Sequence, residues 1–231
     1  MRTTKYSETS IIARVLTREK GVQSIIVRGV RSSKSKNKAA IWHPGNILDF
    51  VLYFQSGKNL KSIKEFKLNF IYQRIHGDMY RSALLMFLTE VLNAILKEED
   101  DLEDTEIYEF IENQYFRLDE EKLPDPNFHL QFMLQLSQYL GIYPKDNYSP
   151  EKPNFNYAEG VFSDQNGTQV LNAQISANLN KLMKGEKAEF TTSDRSELIE
   201  ALLSYFRNQL GAFAAIKSHV VLHQVFGKGY L

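Results

Sequence analysis

Between residues 68 and 78 the chain changes its hydrophobic period, and that change limits its fold more than any other feature. Up to about residue 68 the apolar side chains alternate or come in short β-branched runs; from Asp78 onward they return every three or four positions. A period of two places successive residues on opposite faces of a strand, whereas a period near 3.6 gathers them on one side of a helix. A single layer type cannot satisfy both patterns. The chain therefore reads as a β module followed by an all-α helical domain, with the junction near Phe70 to Gly77.

Within the β module, Ile11 to Thr17 and Val22 to Val27 flank Arg18-Glu-Lys-Gly21, whose glycine suits a hairpin turn. A second pair, Ile47 to Phe54 and Leu60 to Phe66, is joined across Gln55 to Asn59, and Pro44-Gly45 marks the turn before it. Lys61, Lys64 and Lys67 share no single face of the last strand, so at least one is expected to lean along an edge. Only Arg2 to Tyr6 precedes the Ser7-Glu-Thr9 turn, which leaves room for a short first strand. Such a set of strands suggests a small antiparallel barrel.

The helical part opens with Leu84, Phe87, Leu88, Val91, Leu92 and Ile95, a wide apolar face predicting a central helix to about Lys97. Glu98 to Glu121 holds twelve acids against Arg117 alone, yet Leu102, Ile107, Phe110, Ile111, Tyr115 and Leu118 still trace a helical stripe. A folded acidic helix is expected there. Phe128 to Leu140 predicts a third helix stopped by Gly141. Ile142 to Val170, rich in Pro, Asn and Tyr, is too long for a simple connection and reads as a small excursion. Asn172 to Met183 predicts another helix. Asp194 followed by Glu197 resembles a capping box opening a helix that buries Leu198, Leu202, Tyr205 and Phe206. Ala214 to Phe226 predicts the last one.

The formal net charge is zero, but its distribution is lopsided. Residues 1 to 75 hold 15 Lys and Arg against four Asp and Glu, a balance of +11, and the remaining 13 basic and 24 acidic residues leave −11. The basic half peaks at Arg28-Gly-Val-Arg-Ser-Ser-Lys-Ser-Lys-Asn-Lys38, which contains no acid. Arg28, Arg31, Lys34, Lys36 and Lys38 repel one another and resist burial, so the segment is expected as a mobile loop presenting positive charge to a polyanion. The plainer reading is a solvated surface loop. Tyr6, Trp42, Tyr53, Phe54 and Tyr72 lie in or beside this module. Cationic grooves with aromatic faces hold single-stranded nucleic acid, but most of these rings should fill the core. Tyr6 is the best placed for exposure and Trp42 is expected to be packed.

Signals for catalysis are weak. His219 and His223 could face one side of a helix, but the intervening Val-Val-Leu lacks the Glu of a metalloprotease and no further ligand is evident. Glu98-Glu99-Asp100-Asp101 lies in an acidic surface helix without an apolar pocket to raise a pKa. Gly227-Lys-Gly229 does not open a helix, and no Gly-x-Ser-x-Gly elbow occurs. The chain has no cysteine, which removes disulfides and thiolate chemistry. It has no apolar run of bilayer-spanning length and no secretory leader, so no membrane partner and a cytoplasmic location are expected.

In order along the chain, Tyr6-Ser-Glu-Thr-Ser10, Thr17 with Gly21, and Arg28-Gly-Val-Arg-Ser-Ser-Lys-Ser35 resemble the N-terminal domain of bacterial RecO proteins, in a form like that of Bacteroidetes. Phe87-Leu-Thr-Glu-Val91, Leu140-Gly-x-x-Pro144 and Lys217-Ser218 continue the resemblance through the helical part. It implies an OB-fold DNA-binding domain over 1–72 and a RecO-like helical domain over 78–231. The function implied is that of a non-enzymatic recombination mediator, associated with the nucleoid. Proteins of this kind bind single- and double-stranded DNA and anneal complementary strands. They act with RecR to help RecA onto DNA covered by single-stranded DNA-binding protein, whose tail they contact. The positions implied for DNA contact are Arg28, Arg31, Lys34, Lys36 and Lys38, with Arg14 as a weaker addition and Tyr6 as the candidate stacking ring.

Two departures from the family pattern carry expectations of their own. Many RecO proteins hold zinc through four cysteines in the excursion; here Lys145 to Asn172 has none, so the aromatics of this zinc-free insertion are expected to hold it. Family members usually begin earlier, with a strand leading into the Tyr-Ser-Glu turn. Its absence leaves two expectations: either the given start is an internal Met, or the first strand is short and the barrel is open along one edge. The alternative function is a protein-interaction adaptor that docks a basic partner through its acidic helical face.

Overall fold

Alternation in the first 27 residues builds a three-stranded antiparallel meander: β1 (Arg2–Lys5), β2 (Ile11–Thr17) and β3 (Gly21–Val27). The structure, a computed structural model, describes residues 1–31, 36–53, 61–97, 105–211 and 216–226. Gly21 closes the β2–β3 hairpin at φ 56°, a left-handed conformation that a side chain would strain. Thr17 pins the turn, its hydroxyl donating to the Gly21 carbonyl at 2.9 Å and accepting from the Lys20 N–H at 3.0 Å.

After a short helix, α1 (Lys36–Ile41), the chain returns as β4 (Leu48–Tyr53) and β5 (Lys61–Leu68). β5 joins β3 in parallel, giving one five-stranded sheet of order β1-β2-β3-β5-β4. Its interior face carries Ile11, Ala13, Ile25, Val27, Val30 and Trp42, closed by partly buried residues such as Phe50, Ile63 and Phe66. Burying each of these larger apolar side chains stabilises the sheet by roughly 1.5–3 kcal/mol. Trp42 is packed as expected, its ring meeting the edge of Phe66 at 5.1 Å.

The barrel expected of the first module is corrected to an open sheet, in line with the open edge that its short first strand suggested. β1 runs for only four residues, and among the described residues no ladder joins it to β4, so the two strands are the edges of an open sheet. The lysines of the last strand resolve through a β-bulge. Val51 pairs with Glu65 and Leu52 with Ile63, leaving Lys64 as the extra residue. Lys64, Glu65 and Lys67 are consequently all exposed, while Ile63 and Phe66 stay on the core side.

The helical region follows as α2 (Met79–Ile95), α3 (Thr105–Glu120), α4 (Phe128–Tyr139), α5 (Ala173–Met183), α6 (Thr192–Leu210) and α7 (Ser218–Phe226). Contacts gather the chain into two compact units, Met1–Lys122 and Leu123–Leu231, so in compactness α2 and α3 go with the sheet. Polar ties account for this. Arg14 of β2 donates to the Asn93 carbonyl at 2.7 Å and to the Leu96 carbonyl, satisfying acceptors that the end of α2 leaves open. Asp119 of α3 accepts the backbone N–H groups of Gln73, Arg74 and Ile75 at 2.9–3.0 Å. Arg81, only 3% exposed, is bonded to the carbonyls of Leu118, Glu121 and Lys122 at the end of α3, with Asp78 at 3.1 Å.

In the second unit α4 packs against α5 and α6, and α7 lies on α6. The excursion forms a two-stranded hairpin, β6 (Asn154–Asn156) and β7 (Val161–Ser163), set against α5, so the helical part is not purely α. One expected cap is also corrected. Thr191, not Asp194, is the N-cap of α6, and Asp194 is the acid at the third helical position, reaching back to the Thr191 N–H at 2.9 Å. The box is one Thr-x-x-Asp step earlier than the Asp194–Glu197 pair suggested.

Candidate nucleic-acid interface

At one end of the sheet the β1–β2 turn and the exit of β3 meet. The turn is closed by the Tyr6 and Ser7 N–H groups, which donate to the Ser10 carbonyl at 3.1 and 3.3 Å. Val27 ends β3 opposite Ile11, and the chain then folds back so that the Arg31 N–H donates to the Thr9 carbonyl at 3.1 Å. This backbone bond seats the start of the basic segment against the turn that carries Tyr6. Tyr6 is 57% exposed, and Lys5, Arg28 and Arg31 are exposed beside it. Among the described residues none of these three cations makes an ion pair, so their charge faces solvent.

The rest of the expected set is placed unevenly. Lys38 is exposed on α1. Lys36 is the first residue of that helix, so the C-terminal part of the basic run is helical and not the loop expected throughout. Lys34 lies outside the described residues, as do Phe54, Gln55 to Asn59 and the acidic Glu98-Glu99-Asp100-Asp101 run. Arg14 is half-buried on the face of β2 opposite Ala13. Its guanidinium is committed to the end of α2, with the Asn93 side-chain oxygen at 3.0 Å as a further partner. Arg18, another cation of the basic half, bonds Glu109 and Glu112 of α3 at 2.9 and 2.8 Å and lies 5.0 Å over the Tyr108 ring. Lys5 was not singled out by sequence; its neighbour Tyr6 and its place at the end of β1 are the signals that find it. Among the described residues Tyr53, 55% exposed on β4, is the other largely exposed ring of the module, whereas Tyr72 is buried.

The histidine pair of α7 is structural in its geometry. His219 Nε2 lies 2.8 Å from Glu200, and His223 Nδ1 meets the Ser196 hydroxyl, both partners on α6. The Ser196 hydroxyl itself donates to the Thr192 carbonyl at 3.0 Å, so the imidazole must be the donor in that pair and does not activate the serine. Among the described residues no group of three His, Cys, Asp or Glu could hold a metal ion. Burial, followed by the nearby Arg195 charge, pushes His129 down to about 3, which makes it a neutral core residue.

The excursion does not fit zinc. In place of thiolates it has Phe155 and Phe162 packed with their rings tilted, centroids 5.1 Å apart, and Tyr148 edge-on to Phe162 at 5.3 Å. Asparagines complete the clamp. Asn147 bonds both the N–H and the carbonyl of Phe162 at 2.9 Å, and Asn156 accepts from the Ala158 N–H at 2.9 Å. The aromatics expected to hold the segment are thus joined by amide side chains that the sequence pattern does not reveal.

Comparison with known proteins covers nearly the whole chain. The family model described as Recombination protein O N terminal matches residues 1–72, and Recombination protein O C terminal matches residues 76–218. A DNA repair protein RecO of Flavobacterium psychrophilum is 32% identical over 228 residues, 96% of this chain and 94% of that protein. Those of Phocaeicola vulgatus and Flavobacterium johnsoniae are 31% and 30% identical, the first covering 98% of this chain and 96% of the relative, the second 96% and 94%. No helix among the described residues is long and apolar enough to cross a membrane.

Proposed function

The chain belongs to the RecO family, and from that premise we propose that it is a DNA-binding mediator of recombinational repair. In this reading it anneals single strands and, with a RecR-like partner, helps RecA onto DNA covered by single-stranded DNA-binding protein. Its contribution is binding and not bond-breaking, and its place is the cytoplasm, on the nucleoid. The observation that carries the reading is the Arg31–Thr9 backbone bond, which holds Arg28 and Arg31 beside Lys5 and the exposed Tyr6. Cations that neutralise phosphates and a ring that stacks on a base are the two elements of single-strand binding.

The strand order, with β3 and β5 parallel, supports an OB-type module open between β1 and β4, a division consistent with the matched ranges 1–72 and 76–218. OB folds usually offer the face of strands 2 and 3 together with the β1–β2 loop. Here Arg14 on that face is tied to α2, so contact shifts to the loop end where Tyr6, Arg28, Arg31, Lys34, Lys36 and Lys38 belong. A second reading, an adaptor for a basic partner, has one observation in its favour: α3 already cradles a guanidinium, that of Arg18.

Salt-titrated binding of labelled oligonucleotides tests the proposal. Affinity should fall linearly on a log-log plot, and replacing Arg31, Lys34 and Lys36 by Ala should lower the slope by roughly 2 on single strands. Wild-type binding by that triple variant would refute the loop assignment. Capture of a protein partner that survives both nuclease digestion and the triple substitution would favour the adaptor.

A further inference from the structure

The basic end of the sheet does not stop at Arg31. Side chains two residues apart on a strand share a face. In β4, Leu48, Phe50 and Leu52 pack into the core, so Asp49, Val51 and Tyr53 point the other way, and all three are exposed. The last β3–β5 pair is Ile26 with Ser62, and Ser62 in turn pairs with Tyr53. Two residues beyond that pair on the parallel strands stand Arg28 and Lys64, both exposed and on the face opposite the core residues Val27 and Ile63. The register therefore lines up Tyr6, Arg28 and Lys64 across the outer face, with Val51 at the β4 end of that line and Tyr53 two residues further along β4, opposite Ser62. Val51, 45% exposed, adds an apolar ledge beside Tyr53.

Resting on the DNA-binding reading above, we propose that this row is a track for single-stranded DNA, with Tyr53 as a second stacking platform and Lys64 as a phosphate contact between it and Arg28. The occupant follows from the chemistry. Two exposed rings suit unpaired bases, which present π-faces, whereas a duplex hides them. Arg28 and Lys64 carry no ion pair among the described residues, so each can neutralise a phosphate. The β-bulge explains why Lys64 is available: without the extra residue, the alternation that buries both Ile63 and Phe66 could not be kept. Glu65, paired with Val51, is an acid inside the row, Glu8 is exposed in the turn that carries Tyr6, and Asp49 with Lys67, 3.4 Å apart, closes the far side. From β1 to β4 the row crosses four strand spacings, about 19 Å along the curved sheet.

The test is fluorescence anisotropy of the full chain with a labelled oligo-dT and, separately, a duplex of the same length. Tyr53→Ala should weaken oligo-dT binding about tenfold or more and leave duplex binding unchanged, while Tyr53→Phe retains wild-type affinity. Lys64→Ala should lower the single-strand salt slope by about 0.7, and Glu65→Gln should tighten binding. All are exposed positions, and a circular-dichroism melt confirms that each variant is folded. If Tyr53→Ala and Lys64→Ala bind oligo-dT like wild type while Arg28→Ala with Arg31→Ala does not, the track is refuted and the loop-end site stands. If the Arg28/Arg31 variant also binds like wild type, the DNA reading falls and the track with it. A drop in sedimentation coefficient of the DNA-free protein on Tyr53→Ala would instead make this face a contact between copies of the chain, and would overturn the proposal.

Discussion

Replacing Asp119 should loosen the first unit more than any other single change on α3. Its carboxylate is 1% exposed and accepts three consecutive backbone N–H groups, from Gln73, Arg74 and Ile75, where the chain leaves the sheet and enters α2. Hydrogen bonds to a charged group contribute about 1.5–3 kcal/mol each, and breaking a buried charged partner typically costs about 3–5 kcal/mol in total after relaxation. Asp119→Ala should therefore destabilise the unit by about 3–5 kcal/mol. Asp119→Asn should cost about 2–3 kcal/mol, because one amide oxygen can still accept while the NH₂ faces donors. Trp42 is the only tryptophan and sits in the core of the same unit, so its fluorescence in urea reports this unit by itself. Burial alone would push the Asp119 carboxyl up, but the three backbone N–H groups and the Arg74 charge outweigh it and hold it below the usual carboxylate range. With a depressed folded pKa, the stabilisation is complete above the unfolded value near 4 and is lost as pH falls through the lower folded one. The wild-type midpoint should thus drop steeply below about pH 4, and the Asp119→Asn midpoint less so. A Trp42 transition moved by less than about 0.5 kcal/mol in Asp119→Ala would refute the reasoning.

Two further substitutions separate architecture from binding. Arg14→Met should lower the Trp42 urea midpoint by an amount equivalent to about 2 kcal/mol, since it strands the α2 carbonyls, yet leave the DNA salt slope unchanged. Gly160→Ala should destabilise the second unit by at least about 2 kcal/mol in a thermal melt: at φ 72° its added Cβ would fall 2.5 Å from the Tyr205 ring, whose hydroxyl is bonded to the Ile142 carbonyl.

Periodicity alone exposed most of the elements because burial is one-sided wherever the alternation is clean. β4 is the clearest case, with Leu48, Phe50 and Leu52 inward and their neighbours outward. β3 was harder to orient, since it is buried on both faces except at Ser24, and no period distinguishes its two sides. Caps were legible only to within a turn: the box forms between Thr191 and Asp194, one three-residue step before the expected Asp194 and Glu197, and that spacing occurs twice in Thr-Thr-Ser-Asp-Arg-Ser-Glu. The site was legible as a charge excess, but its geometry was not. Whether a cation faces solvent or a helix end depends on pairing across 79 residues in the case of Arg14 and on a bulge in the case of Lys64. Neither is local in sequence.

That distinction changes what the charge asymmetry means. Of the cations that make residues 1 to 75 so basic, Arg14 and Arg18 are spent inside the first unit, on the α2 carbonyls and on the acids of α3. Arg74 donates to the Asp119 carbonyl at 3.1 Å, and Lys67 faces Asp49. Part of the opposition between a basic β module and an acidic helix is therefore internal attraction, which holds α3 to the sheet and belongs to stability. What remains is not spread evenly over the surface. Arg2, Lys5, Lys20, Arg28, Arg31, Lys38 and Lys64 make no ion pair among the described residues, and Lys5, Arg28, Arg31 and Lys64 lie at the same end of the sheet as Tyr6, whereas Lys20 lies in the turn at the other end. Internal pairing thus sharpens the outward field: by neutralising the cations near α3, it leaves the Tyr6 end of the sheet with the larger group of cations free of ion pairs among the described residues, where a phosphate backbone would be drawn.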